Sequence, residues 1–371
     1  MRLKSPPGVI VIGGGVSGLT VACFLLRKGF PVTVIADQFA QETTSMVAGA
    51  LWEMPHAVCG HHDAGVALQL YEQEQWSRFS YHVFRRLQTV RGAGVHLRRV
   101  HFYSEKPLAE DRDSQRKIDR LQRFVLGLQV SASPERDVRP GVTIRSHYSY
   151  LAPMIDMGAY LPWLISQIEA LGGVLVSRQL QAEELTNPEP LLARHGAAQL
   201  VHCSGLGAST LVADAAVFPV RGAWFAFRND GSLFPIMDEA HCSSLVAGDE
   251  HEHFVFVLPR GCDQLVVGGI ANAHVSDLNL PADSALLQAM LQESGAWLPA
   301  LRGLRPADRI DLRVGLRPFR KGAVRLELDA QGIVHNYGHG GSGVLLSWGC
   351  ASRVHTLLRR RWGPGSVSGQ R

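Results

Sequence analysis

None of the six cysteines of this 371-residue chain forms a CxxC pair. Cys23, Cys59, Cys203, Cys242, Cys262 and Cys350 are scattered, which excludes a ribbon-type zinc site and suits reduced thiols in a cytoplasmic protein. No apolar run approaches the roughly 20 residues of a membrane span. The run at 9–12 behind Met1-Arg-Leu-Lys4 is too short for a signal-peptide core, and the tail carries no Ser-Lys-Leu ending. Charge of one sign is also scarce. The formal net charge is +4, with basic residues spread along the chain, so nothing argues for nucleic acid. The one basic run, Arg359-Arg-Arg361, suits the C-terminal end of a last helix, where cations oppose the dipole. There is no internal repeat or low-complexity segment.

What the chain does have is glycine in two strand-loop-helix settings, at opposite ends. Val9-Ile-Val-Ile-Gly13-Gly-Gly15-Val-Ser-Gly18 is one, and Ile333-Val-His-Asn-Tyr-Gly338-His-Gly-Gly-Ser-Gly343 is the other. A single dinucleotide needs one such turn, so two suggest a long cofactor gripped from both ends, which points to a flavin rather than a dissociable nicotinamide. The length exceeds one ordinary core, so two domains are expected.

The β-branched run 9–12 reads as a buried parallel strand, followed by a helix from about Ser17 to Lys28 and a second strand over 31–36. Residues 68–87 carry a helical apolar stripe, and 112–123, dense in mixed charge, reads as a solvated helix or loop. A helix over 160–171, a strand over 174–176 and a strand over 200–202 follow. Between about 220 and 271 the pattern changes to extended runs at 222–227, 254–258 and 265–270, with a turn at 259–263, which is antiparallel sheet. The predicted class is α/β: a Rossmann-like FAD-binding domain from 1–55, 150–215 and 312–371, with an inserted antiparallel-sheet α+β substrate domain from 56–149 and 216–311.

Gly13-x-Gly15-x-x-Gly18 follows a strand and opens a helix, the context in which this spacing acquires meaning. Gly13 serves the tight turn, Gly15 admits the pyrophosphate, and Gly18 lets helix and strand pack closely. Val16 and Ser17 then offer helix N-terminal N–H groups to phosphate. Asp37, ending the second strand beside Gln38, is placed to accept the ribose hydroxyls. Thr43-Thr44-Ser45, leading into Gly49-Ala50-Leu51, suits a phosphate contact followed by backbone running beside a flat ring. His56, Cys59, His61, His62 and Asp63 match no standard zinc spacing, so a polar loop is expected there and no metal.

These blocks resemble the D-amino-acid oxidase family of flavoproteins. The resemblance continues through Val47-Ala-Gly-Ala-Leu-Trp52, Pro219-Val-Arg-Gly222, Val267-Gly-Gly-Ile270, Arg313-Val-Gly-Leu-Arg317-Pro-Phe-Arg320 and Trp348-Gly-Cys350, in order along essentially the whole chain. It implies bound FAD and oxidation of an amine next to a carboxylate by hydride transfer to the flavin, with reoxidation by oxygen to peroxide. It further implies that Arg317 clamps the substrate carboxylate and that the Gly341 carbonyl accepts from the amine. The backbone of Gly340, Gly341, Ser342, Gly343, Val344 and Leu345, at a helix starting near Ser342, would face the flavin pyrimidine edge, where charge develops on reduction. Ser204-Gly205 matches the family's second cofactor turn, and Leu180 the adenine contact.

The departures concern the substrate. Family members commonly carry Tyr at Ser342 and Thr at Leu345. The carboxylate-binding tyrosine aligns with Phe256 and a second tyrosine with Glu252, so Tyr148, Tyr150 and Tyr337 are the candidate replacement donors to Arg317. Arg320 and Arg325 lack a family match and read as surface charges. Glu53 stands where the family has a neutral amide, which suggests preference for basic or amine-rich substrates. The leading expectation is an FAD-dependent oxidase of D-amino acids or similar amino carboxylates, with oxygen as acceptor and a homodimer as a compatible assembly. The alternative is an FAD-dependent amine oxidase or dehydrogenase of a larger biosynthetic metabolite.

Overall fold

The computed structural model describes residues 6–53, 67–131, 136–139, 142–243 and 253–362. Glu252, the residues 56–63 and the C-terminal tail lie outside them.

The apolar run at the N-terminus becomes the strand Gly8–Gly14, the centre of a six-stranded sheet. Its order is Arg325–Leu328, Ile333–Tyr337, Ala197–His202, Gly8–Gly14, Val32–Phe39 and Val174–Ser177. All pairs are parallel except the edge pair Arg325–Leu328 with Ile333–Tyr337. Continuous β-branched runs suit this sheet because it is covered on both faces. The helices Val16–Arg27, Met157–Ala170 and Gly343–Trp362 supply apolar cover, while the helices Ala182–Thr186 and Glu189–Arg194 bury Leu185 and Leu191 in a second cluster. The first helix starts one residue before the expected Ser17. The second strand runs three residues past 36, so Asp37 lies within it rather than at its end.

The second sheet has nine strands, far more than the three extended runs visible in the sequence. Next to one edge lies Val217–Arg228, paired on one side with Asp311–Arg320 over ten residues and with the short strand Asn272–Ala273, and on the other with Gln264–Ile270. His253–Arg260, Ala240–Ser243, Val95–Ser104, Ser146–Ile155 and Leu126–Ser131 extend it, with one parallel pair between Ala240–Ser243 and Val95–Ser104. Alternation in Val95–Ser104 is blurred by Arg98, Arg99 and four aromatic or imidazole side chains, which is why it is not legible as a strand. Pro259 and Arg260 belong to the strand His253–Arg260, and the turn is confined to 261–263.

The segment 112–123 forms the helix its sequence allows, but it is not solvated on every face. Arg112–Leu121 is a helix capped by Asp111, which accepts from Ser114 N–H at 3.0 Å. One face carries the mixed charges, and the other buries Lys117, Ile118 and Leu121. The triple arginine ends the helix Gly343–Trp362, as dipole complementarity requires. Among the described residues, Cys23, Cys203, Cys242 and Cys350 are buried and Cys262 is exposed, none of them in a disulfide, and no helix is long and apolar enough to cross a membrane.

Candidate active site

The first glycine loop is dictated by close approach. A Cβ on Gly13 would stand 2.5 Å from the Cys203 carbonyl oxygen, one on Gly14 2.2 Å from that of Gln38, and one on Gly18 2.0 Å from that of Gly13. Gly13 also has a φ of +117°, unfavourable for an L side chain. The loop therefore lies flat along the sheet's end, and a cavity of about 450 Å³ opens beside it.

That cavity reaches both glycine loops and both sheets. Its wall contains Gly13, Gly15, Val16, Ser17, Asp37, Gln38, Thr43, Thr44, Ser45, Gly49, Ala50, Leu51, Leu180, Ser204 and Gly205. The same wall carries Glu53, Phe256, Arg317, Gly340, Gly341, Gly343, Val344 and Leu345. Two expected residues are not on it. Gly18 packs beneath the loop against Gly13, and Ser342, fully buried, sits under the second loop.

Within the wall the hydrogen bonds are largely internal. Val16 N–H donates to Ser45 Oγ at 2.9 Å, so Ser45 ties the helix start to the 43–47 turn. Thr43 donates to the Ala40 carbonyl at 2.6 Å. His339 is buried, which depresses its pKa to about 4 and keeps it neutral. Its Nε2 lies 3.0 Å from Asn336 Oδ1, so Nε2 donates and Nδ1 is left to accept from Ser17 Oγ at 3.4 Å. That bond joins the two glycine loops.

A second imidazole chain ends at the wall. His335 Nε2 lies 3.0 Å from Asp329 Oδ2, His335 Nδ1 3.2 Å from His202 Nδ1, and His202 Nε2 2.6 Å from Ser204 Oγ. Burial, then the neighbouring His335 and Arg325, lower the His202 pKa to about 3, so the ring is neutral. With Asp329 accepting from His335, His335 Nδ1 must accept from His202, and His202 Nε2 from the Ser204 hydroxyl. Ser204 thus turns its lone pairs, not its proton, toward the cavity.

Arg317 is the cation at the other sheet. It comes from the strand Asp311–Arg320, opposite Val220, and its guanidinium fills the space a Cβ on Gly222 would take, 2.4 Å from Nη1. Nη1 donates to the Ile270 carbonyl at 2.8 Å and, at 3.5 Å, to that of Arg221. Burial lowers its pKa to about 10, still fully charged at neutral pH, and among the described residues it has no acidic partner. None of the three candidate tyrosines supports it. The Tyr337 hydroxyl donates to Asp214 at 2.8 Å, Tyr148 is bonded to Lys117, and the buried Tyr150 hydroxyl has no partner among the described residues. Backbone carbonyls orient Arg317 instead. Arg320 and Arg325 are not simple surface charges either: Arg320 pairs with Asp214 at 2.8 Å, and Arg325 donates to the Tyr337 hydroxyl at 2.8 Å.

Glu53 is not a free carboxylate. Lys117 donates to its Oε1, and both side chains are largely buried. Phe256 lines the cavity with its ring edge on Gly49, where a Cβ would lie 2.3 Å from Cε1. Lys117, Arg260, Trp224 and His202 are the site residues that the sequence did not reveal. Only His202, beside the matched Ser204, carried any local signal. The donors and small residues present fit a dinucleotide: glycines at the cradle, free helix N–H groups at Ser17, and a carboxylate at Asp37.

The family described as FAD dependent oxidoreductase (DAO) matches residues 8–355. A D-amino-acid oxidase of Rubrobacter xylanophilus is 33% identical over 370 residues, covering 96% of this chain and 97% of that protein. A D-amino-acid oxidase of Streptomyces coelicolor is 32% identical over 358 residues, covering 94% and 96%. Among solved structures, glycine oxidase from Bacillus cereus superposes with a TM-score of 0.70 at 17% identity, covering 98% of this chain and 99% of that one.

Proposed function

The chain belongs to the DAO family of FAD-dependent oxidoreductases, and on that footing we propose that it oxidises D-amino acids or similar amino carboxylates to imino acids, with oxygen as acceptor and peroxide as product. The observation that carries this reading is Arg317. It is a buried cation without an acidic partner among the described residues, on the wall of the cavity that also holds both glycine loops. Its Nε and Nη2 have no protein acceptor among the described residues, which leaves a fork for a substrate carboxylate.

FAD, when bound, supplies the two-electron acceptor that takes hydride from the substrate Cα. The chain's part is to hold the substrate. Arg317 fixes the carboxylate, and the Gly341 carbonyl is the acceptor for the amine. With two points fixed, the Cα–H is left with few orientations, and a reaction gains rate from such positioning. No acid–base dyad is required, because the amine enters neutral. The helix Gly343–Trp362 begins at the cavity wall, where the positive end of its dipole would favour negative charge. Ser17, Asp37, Thr43, Thr44, Leu180 and Gly205 would hold the rest of the cofactor.

Anaerobic mixing of the FAD-loaded enzyme with a panel of D- and L-amino acids tests the reading. Bleaching of the flavin by D-amino acids, followed by peroxide on admitting air, is expected. Bleaching by no amino carboxylate would overturn it. Arg317→Leu is expected to keep bound FAD and lose at least ~100-fold in kcat/KM, since a charge-assisted clamp is lost.

A further inference from the structure

Among the described residues the cavity wall carries two acidic side chains, Asp37 and Glu53, and of these Glu53 is the one that meets a buried ammonium. Lys117 itself does not line the cavity. It stands behind Glu53, 4.6 Å from the Phe102 ring centroid and 5.8 Å from that of Tyr148, so two aromatic faces and one carboxylate hold its charge. Burial alone would depress the Lys117 pKa, but Glu53 and Tyr148 raise it above the usual lysine value. Around the pair, burial keeps the Tyr148 and Tyr150 phenols and the Cys242 thiol protonated, and Cys242 shares the cavity wall. Among the described residues, Glu53 Oε2 has no protein donor.

A lone carboxylate in this wall would select a cationic side chain. A carboxylate joined to an ammonium presents no net charge and one free acceptor oxygen. We propose that Lys117 is a specificity-determining residue: by cancelling Glu53 it makes the site accept amino carboxylates with uncharged side chains and removes selection for basic ones. This rests on the amino-carboxylate reading above, and it reverses the preference for basic substrates that Glu53 suggests when read without its partner.

The test uses two probes that differ in terminal charge, hexanoate and 6-aminohexanoate. Each is titrated into the FAD-loaded protein and followed by perturbation of the flavin absorbance, which needs no turnover. The measured quantity is the affinity for 6-aminohexanoate relative to hexanoate. In Lys117→Met the uncompensated carboxylate should raise that ratio roughly tenfold, and in Glu53→Gln the uncompensated ammonium should lower it roughly tenfold. The double variant, carrying neither charge, should return to the wild-type ratio. A structural role alone would not produce opposite shifts that cancel.

An FAD-loaded Lys117→Met with the wild-type ratio overturns the inference, as does a double variant that fails to restore it. Should Lys117→Met not fold, Glu53→Gln and the double variant decide by the same criteria. Perturbation by neither probe in the wild type would overturn the carboxylate reading and the inference together, whereas binding of both with an invariant ratio overturns the inference alone.

Discussion

The guanidinium of Arg260 lies over the indole of Trp224, 4.7 Å from the ring centroid, and the two side chains hold three consecutive carbonyls of one loop. Trp224 Nε1 donates to Val47 O at 2.8 Å, and Arg260 Nη2 to Ala48 O at 2.8 Å and Gly49 O at 3.2 Å. The loop so held is the stretch that the cavity shares with both glycine turns. Arg260→Met should free two of these carbonyls and cost about 2–3 kcal/mol, as for hydrogen bonds to a charged group. A lower Tm and weaker FAD retention are expected. Unchanged values for both would show that the loop holds its course without Arg260.

Gly49 has no space for a side chain, since Phe256 occupies the position of a Cβ. Gly49→Ala should force either the loop or the ring to move, at about 1–3 kcal/mol, a usual cost of overpacking. Because both residues line the cavity, FAD affinity should fall as well. Equilibrium titration of the apoprotein with FAD measures this, and Phe256→Ala in the Gly49→Ala background should recover part of the loss.

Stability should decline on the acid side well above the carboxylate range. His202 is depressed to about 3 and His339 to about 4 by burial, and His355 to about 4 by burial with Lys28 and Arg359 nearby. Unfolding restores each to about 6.5. Below that value the unfolded chain binds protons that the folded chain does not, so the contribution of these neutral rings is present above about pH 6.5 and lost as pH falls toward 4. Each ring adds a slope of up to about 1.4 kcal/mol per pH unit. Chemical denaturation at pH 7.5, 6 and 5 should show a falling midpoint, and a flat profile would contradict neutral buried imidazoles.

Asp214 ties together the ends of two sheets. It accepts from Arg320 Nε and the Tyr337 hydroxyl at 2.8 Å each, and from Ala216 N–H at 3.0 Å. Burial works against its ionised form, but these donors outweigh it and hold the carboxyl below its usual value. Its contribution is therefore present above about pH 4 and lost as pH falls through the lowered folded value. Asp214→Asn should cost about 1.5–3 kcal/mol at pH 7 and leave less to lose in acid. Urea denaturation at pH 7 and pH 3 checks both.

The elements legible in the sequence are those whose signal is local. The glycines at 13, 15 and 18 announce themselves because a backbone approach demands the absence of a side chain at a set spacing. Arg317 is conspicuous as a cation inside an apolar strand. The strand Val95–Ser104 and the buried face of Arg112–Leu121 escape because half-buried Arg98, Arg99 and His101, and the buried Lys117, stand against the prior that charge lies outside. Tyr148, Tyr150 and Tyr337 are sensible donors by chemistry, yet the Ile270 and Arg221 carbonyls take the place beside Arg317.

By itself, then, the sequence determined two glycine turns that each follow a strand and open a helix, and an arginine set among apolar residues, because each is a property of residues close in the chain. Only the tertiary structure decided which side chains stand together on the cavity wall. Glu53 meets Lys117 across 64 positions, and Arg260 meets Ala48 across 212. Charge compensation acts through space, and which distant segments come within a few ångströms of one another is set by the packing of two sheets.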